Sequence, residues 1–122
     1  MNEKVEACKE ALMEAIRESE EYRKYEESKA EVAEHPQLRS QIDEYRRDVY
    51  LLQNSGHASD VAEEMQRMFQ RRQELCKNEV ISRYITRELS MCRMLQSISM
   101  DVMSVTNLEL DGLEVTISVL RR

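Results

Sequence analysis

The chain has 122 residues, a formal net charge of −6, two glycines and one proline. So few helix breakers, with 34% charged and 5% aromatic residues, favour long helices and exclude a turn-rich β-sheet protein. The acidic balance, without a clustered basic face, argues against direct binding to nucleic acid. We therefore expect one all-α domain over residues 1–110.

The first predicted helix runs from about Lys4 to Ser19. Its apolar positions recur at alternating steps of three and four residues, which places them on one side of a helix. The same pattern continues through Tyr22 and Tyr25. The first two helices are therefore either continuous or bent near Ser19.

The single proline, Pro36, marks the next joint, because proline is tolerated in the first turn of a helix but not in its interior. From there a helix is predicted to run to Gln53. Its apolar positions alternate between steps of four and three residues, as in a coiled-coil heptad. They are Leu38, Ile42, Tyr45, Val49 and Leu52.

Residues 54–59, NSGHAS, have the composition of a turn, and Gly56 suits a left-handed backbone conformation. Ser59 or Asp60 can cap the helix that follows, which begins near Val61.

The last predicted helix, from about Asn78 to Val105, contains no strong stop signal and is the longest. Between Met94 and Leu108 its only charged residue is Asp101. A helix that is apolar over so much of its circumference must be covered on several sides, which one small chain does not readily supply. We therefore expect an elongated bundle of four to five helices that dimerises.

The C-terminal residues 111–122 are predicted to form a separate tail. Gly112 can end a helix, and the LEVTISVL that follows alternates and is rich in β-branched residues. That pattern is typical of a short strand, and a loosely ordered tail is the alternative.

Two helices are predicted to contact a partner subunit or another protein. Methionine is flexible and adapts to different partners, so the methionines of the last helix can form either a binding surface or ordinary core. The predicted interface residues are Leu38, Ile42, Tyr45, Val49, Ile85, Leu89, Met91, Met94, Leu95, Ile98 and Val102.

Tyr22 and Tyr25 are candidates for acid–base chemistry, because a phenol can transfer protons. An ordinary tyrosine pKa of about 10 is far from neutral pH, and no histidine lies close to them in sequence. We expect their rings to pack at a helix seam. The sequence also contains no glycine-rich phosphate loop and no zinc-ligand spacing, so we expect no enzymatic activity.

The three cysteines, Cys8, Cys76 and Cys92, are odd in number and widely spaced, which fits free thiols in a reducing cytoplasm. Because no C-x-x-C pair is present, we expect no metal site and no cofactor in a single chain. The alternative is a metal- or iron–sulfur-binding redox sensor that uses cysteines from several subunits.

Another alternative is an RNA-binding helper that uses Arg67, Arg71 and Arg72, the nearest approach to a basic cluster. The N-terminal residues lack the apolar core of a secretory signal. No apolar run of about 18 residues occurs, so we expect no membrane insertion and a cytoplasmic location.

Two stretches carry a family resemblance: SEEYRKYEESKAEVAEHPQLRSQIDEY at residues 19–45 and EVISRYITRELSMCRMLQSIS at residues 79–99. From about Leu12 to Val105 the chain resembles the YlbF/YmcA family of small all-helical bacterial proteins, and the second stretch is similar to the long C-terminal helix of that family. His35 stands where the family more usually has an acidic residue. The family signature is carried by Ile16, Ser19, Tyr22, Tyr25, Pro36 and Leu38, followed by Ile42 and Tyr45.

The resemblance implies a bundle of long helices that pairs into homodimers or into heterodimers with a paralogue. It also implies a non-enzymatic, cytoplasmic adaptor in competence, sporulation and biofilm formation. Some members form a complex that adjusts an endoribonuclease in mRNA processing, and such complexes have been linked to iron–sulfur clusters. None of the three cysteines aligns with a family cysteine motif, so no ligand is assigned by resemblance.

Overall fold

The computed structural model describes residues 2–54 and 61–106. These ranges contain five α-helices and no strand, so the prediction of an all-α protein is confirmed. The predictions for Gly56, for Ser59 or Asp60 as a cap, and for residues 111–122 lie outside the described residues. The helices are α1 (Glu3–Arg17), α2 (Glu20–Ala33), α3 (Pro36–Gln53), α4 (Val61–Leu75) and α5 (Glu79–Ser104).

Ser19 separates α1 from α2 and settles the question of whether the first two helices are continuous. Its backbone is extended, and its Oγ accepts a hydrogen bond from the backbone N–H of Tyr22 at 3.2 Å. The same hydroxyl donates to the carbonyl oxygen of Ile16 at 2.6 Å. One side chain therefore caps the start of α2 and also satisfies a carbonyl group in the last turn of α1.

Pro36 is the first residue of α3, as its sequence position predicts. His35 has φ −122° and ψ 83°, outside the helical region, because the ring of a following proline disfavours helical geometry. The signature residue Pro36 thus sets the joint between α2 and α3.

The core lies where α2, α3 and α5 meet. Val32 from α2, Ile42 from α3, and Ile81 and Tyr84 from α5 are each 3% exposed or less. Half-buried side chains surround the cluster: Tyr25, Leu38, Leu75, Val80 and Ile85.

Helices α2 and α5 run antiparallel and are joined by polar contacts beside the core. Arg83 pairs with Glu31 at 2.7 Å, and Arg87 donates to the Oγ of Ser28 at 2.9 Å. Residue numbers fall along α2 as they rise along α5, which fixes the antiparallel direction. The hydroxyl of Ser28 is buried, and the bond from Arg87 removes the penalty of an unpaired polar group.

Helix α4 folds back along α3 as an antiparallel hairpin. Arg71 of α4 pairs with Asp48 of α3 at 2.6 Å and lies 3.9 Å from Glu44. Leu75, at the end of α4, reaches the core cluster. The bundle is therefore tightest at one end, where α4 ends and α5 begins.

Away from that end, burial within the described chain falls sharply. Helix α1 has no buried residue, and Met91 is the only buried residue of α5 beyond Tyr84. The described helices include none that is both long enough and apolar enough to span a membrane.

Candidate functional site

The eleven predicted interface residues fall into three groups according to their exposure. Ile42 and Met91 are buried at 1% and 8% exposure, so they pack within this chain and offer almost no surface to a partner. The half-buried members are Leu38, Tyr45, Val49, Ile85, Met94 and Ile98, and the exposed members are Leu89, Leu95 and Val102. The structure contains one chain, so their role at an interface stays a prediction.

The C-terminal half of α5 presents an apolar surface that we call the distal α5 face. Leu95 is 46% exposed and Val102 is 59% exposed. Because α5 is helical to Ser104, positions three and four residues apart share one side. The distal α5 face consists of Met94, Leu95, Ile98, Val102 and Val105.

A concave site of about 470 Å³ lies between α3, α4 and α5, and we call it the arginine groove. Leu89 and Cys92 of α5 and Tyr45 of α3 contribute to its apolar lining. Arg46, Arg72 and Arg93 add positive charge to the same lining. No local sequence pattern marks Arg46 or Arg93, because their helices converge only in the folded chain.

Of the two candidate acid–base tyrosines, Tyr22 is half-buried on α2 and Tyr25 packs against Tyr84 of α5. The ring centroids of Tyr25 and Tyr84 lie 6.0 Å apart with the rings stacked, and Tyr84 is buried. The guanidinium groups of Arg39 and Arg46 lie 5.4 and 5.3 Å from the centre of the Tyr84 ring, within cation–π range. These contacts support the predicted packing role.

The pKa values of Tyr25 and Arg46, which lie beside the Tyr84 ring, depart from their ordinary values. Burial, together with the neighbouring Tyr84 hydroxyl, raises the pKa of Tyr25 to about 12. Burial lowers the pKa of Arg46, but its bond to Glu88 at 2.5 Å outweighs that effect and leaves the pKa raised. At neutral pH the Tyr25 phenol is therefore neutral and lies beside permanently charged arginines, a poor arrangement for proton transfer.

The three cysteines do not converge on one site. Cys8 is exposed on α1, Cys76 follows α4, and Cys92 is exposed on α5. In residues 2–54 and 61–106, no group of three or more His, Cys, Asp or Glu side chains is placed to hold a metal ion. Among the described residues the three thiols therefore form no shared site, and the iron–sulfur alternative would need thiols from several subunits.

The arginines proposed for RNA binding are divided among different contacts. Arg67 pairs with Glu64 on its own helix, and Arg71 pairs with Asp48 and lies 5.8 Å from the centre of the Tyr45 ring. Arg72 lines the arginine groove. The cluster that the sequence indicates is thus not a continuous basic surface suited to a phosphate backbone.

Comparison with models of protein families identifies a match for most of the chain. A family model described as "Control of competence regulator ComK, YlbF/YmcA" matches residues 5–105 of the chain. No curated protein and no solved structure matches it. The family match confirms the resemblance drawn from the signature residues.

Proposed function

Because the chain belongs to the YlbF/YmcA family, we propose that it is a non-enzymatic adaptor that controls a competence regulator through protein–protein interaction. The observation that carries this proposal is the distal α5 face. It extends from Met94 to Val105, a length of about 16 Å along the helix at 1.5 Å per residue. Exposed apolar surface of this kind marks interaction sites in proteins.

The adaptor is a dimer that pairs through the distal α5 face, either with a second copy or with a paralogue. The face is continuous and nearly uncharged, since Asp101 is its only charged neighbour between Met94 and Ser104. An isologous pairing of two such helices would cover Leu95, Ile98 and Val102 together. Additional exposed apolar side chains on α1, including Val5, Leu12 and Met13, are available to extend the contact.

The family relationship supports a finer proposal for the setting in which the adaptor works. We place it in the cytoplasm, in a complex that adjusts an endoribonuclease during mRNA processing. Competence, sporulation and biofilm formation are the processes it regulates.

Replacing Leu95 and Ile98 with aspartate tests the dimer. A charge at the centre of an apolar interface should convert the dimer to a monomer, which light scattering coupled to size-exclusion chromatography measures directly. Ser97→Asp is the control, because it adds one aspartate to the same turn on a different side of α5. A double variant that keeps the wild-type mass and helix content would contradict the proposed interface.

Co-purification from the native cell tests the adaptor role. A tagged wild-type chain and Ser97→Asp should retain the same partner proteins, identified by mass spectrometry. The Leu95→Asp/Ile98→Asp variant should lose those partners whose binding needs the dimer. Recovery of the tagged chain without any stoichiometric partner would argue against an adaptor.

A further inference from the structure

The arginine groove has an apolar floor long enough for three turns of a helix. Its α5 wall runs from Ile85 to Gln96, which is about 16 Å at 1.5 Å per residue. Leu89 is 41% exposed within it, and Tyr45 and Leu75 line the opposite walls from α3 and α4. Such a floor can accept apolar side chains at positions i, i+3 or i+4, and i+7 of a bound helix.

The groove carries surplus positive charge in an acidic protein. Its lining includes three arginines and one glutamate, a surplus of two charges, whereas the whole chain has a net charge of −6. Glu88 forms an ion pair with Arg46 at 2.5 Å. Arg72 and Arg93 form no ion pair with any of the residues that the structure describes.

Charge also disfavours α1, which exposes Val5, Leu12 and Met13, as the occupant. On α1, Lys4 lies four residues before Cys8, and Lys9 lies four residues after Val5. Both lysines therefore border the apolar stripe of α1. Docking that stripe in the groove of a second copy would set lysines against Arg72 and Arg93.

From this geometry and charge we propose that the arginine groove binds an acidic amphipathic helix of a partner protein. Apolar side chains of the partner pack on Leu89 and Tyr45, and its flanking carboxylates pair with Arg72 and Arg93. The planar guanidinium group of arginine can donate two hydrogen bonds to one carboxylate. These pairs therefore select the orientation of the partner helix as well as its charge. The inference rests on the proposed adaptor function and assigns the chemistry of one partner.

Two designed peptides test the groove. Each is a fluorescein-labelled 18-residue helix with leucines on one side, flanked by glutamates in the first peptide and by lysines in the second. Fluorescence anisotropy at low ionic strength measures binding to the full chain, since salt screens exposed charges. We expect the glutamate peptide to bind at least about tenfold more tightly than the lysine peptide.

Charge reversal gives the decisive comparison. Arg72→Glu/Arg93→Glu should invert the preference, so that the lysine peptide binds more tightly, and Arg72→Gln/Arg93→Gln should abolish it. Arg47→Glu/Arg67→Glu changes the net charge equally at arginines that do not line the groove and should leave the preference unchanged. Circular dichroism of each variant verifies that the helices are retained.

The proposal is overturned if both peptides bind the wild-type chain equally, or if reversing Arg72 and Arg93 leaves the preference intact. A change of mass in Arg72→Glu/Arg93→Glu would overturn it in favour of a second copy in the groove. The two proposals can fail separately. If the wild-type chain discriminates between the peptides but Leu95→Asp/Ile98→Asp keeps the wild-type mass, the distal α5 face is not the dimer interface and the groove proposal stands.

Discussion

The stacking of Tyr25 on Tyr84 leads to a quantitative prediction about the α2–α5 contact. Tyr25→Ala removes a half-buried ring that packs on the core, whereas Tyr25→Phe keeps the ring and removes only the hydroxyl. If packing is the role of Tyr25, the first change should destabilise the fold strongly and the second only slightly. The two variants therefore separate the ring from the phenol.

The magnitude follows from the burial and the ring geometry. Truncating a fully buried aromatic residue to alanine costs about 3–5 kcal/mol. Tyr25 is only half-buried, which reduces this part to about 2 kcal/mol, and loss of the stacked pair adds about 1 kcal/mol. We expect a loss of about 3 kcal/mol for Tyr25→Ala, and under about 1 kcal/mol for Tyr25→Phe.

Urea unfolding followed by circular dichroism measures both losses. For a domain of this size, the alanine variant should also melt about 10 °C or more below the wild type. Tyr50→Ala is the matched control, because that ring is 64% exposed on α3 and should cost little. Nearly equal losses for alanine and phenylalanine at position 25 would refute the packing argument and point to the hydroxyl.

The remaining predictions concern capping, ionisation and a buried hydroxyl. Ser19→Ala should cost about 1 kcal/mol in urea unfolding, because it removes the cap of α2 and the bond to the end of α1; an unchanged midpoint would contradict that role. The pKa of Tyr25 rises to about 12 on folding, above the value of about 10 for unfolded tyrosine. The contribution of this pKa shift to stability is therefore full below pH 10 and is lost as the pH rises towards 12. Between pH 9 and 11 the free energy of unfolding of the wild type should fall by about 1 kcal/mol more than that of Tyr25→Phe. Parallel stability curves for the two proteins would show that the shift does not affect stability. Arg87→Ala should cost about 1–2 kcal/mol, because the buried hydroxyl of Ser28 loses its donor, and combining it with Ser28→Ala should recover part of that loss.

Local signals made the helix boundaries predictable. Pro36 fixes the start of α3, and the predicted end at Gln53 agrees with the structure, because turn residues follow it directly. At Ser19 the periodicity of apolar residues continues across the break, so the pattern alone does not distinguish a continuous helix from two helices. The capping bond to Tyr22 decided the outcome, and a hydroxyl can make that bond only if the chain turns there.

Long-range pairing explains what the sequence could not predict. Periodicity identifies the apolar side of a helix but not the neighbour that covers it, so Ile42 and Met91 were predicted at an interface although they are buried within the chain. Arg46 and Glu88 are 42 residues apart, and their pairing depends on how α3 crosses α5. The arginine groove forms only where α3, α4 and α5 converge, so no sequence motif predicts it.

Helix α1 has consequences for how binding and folding are coupled. It has 15 residues, none of them buried, and is attached to the bundle at Ser19. An isolated helix of that length is only marginally stable in water, so its amide protons should exchange with solvent far faster than those around Ile81. A partner that covers Val5 and Leu12 must also order this segment, which costs conformational entropy. Protection of the α1 amide protons from exchange therefore measures the fraction of chains with the partner bound.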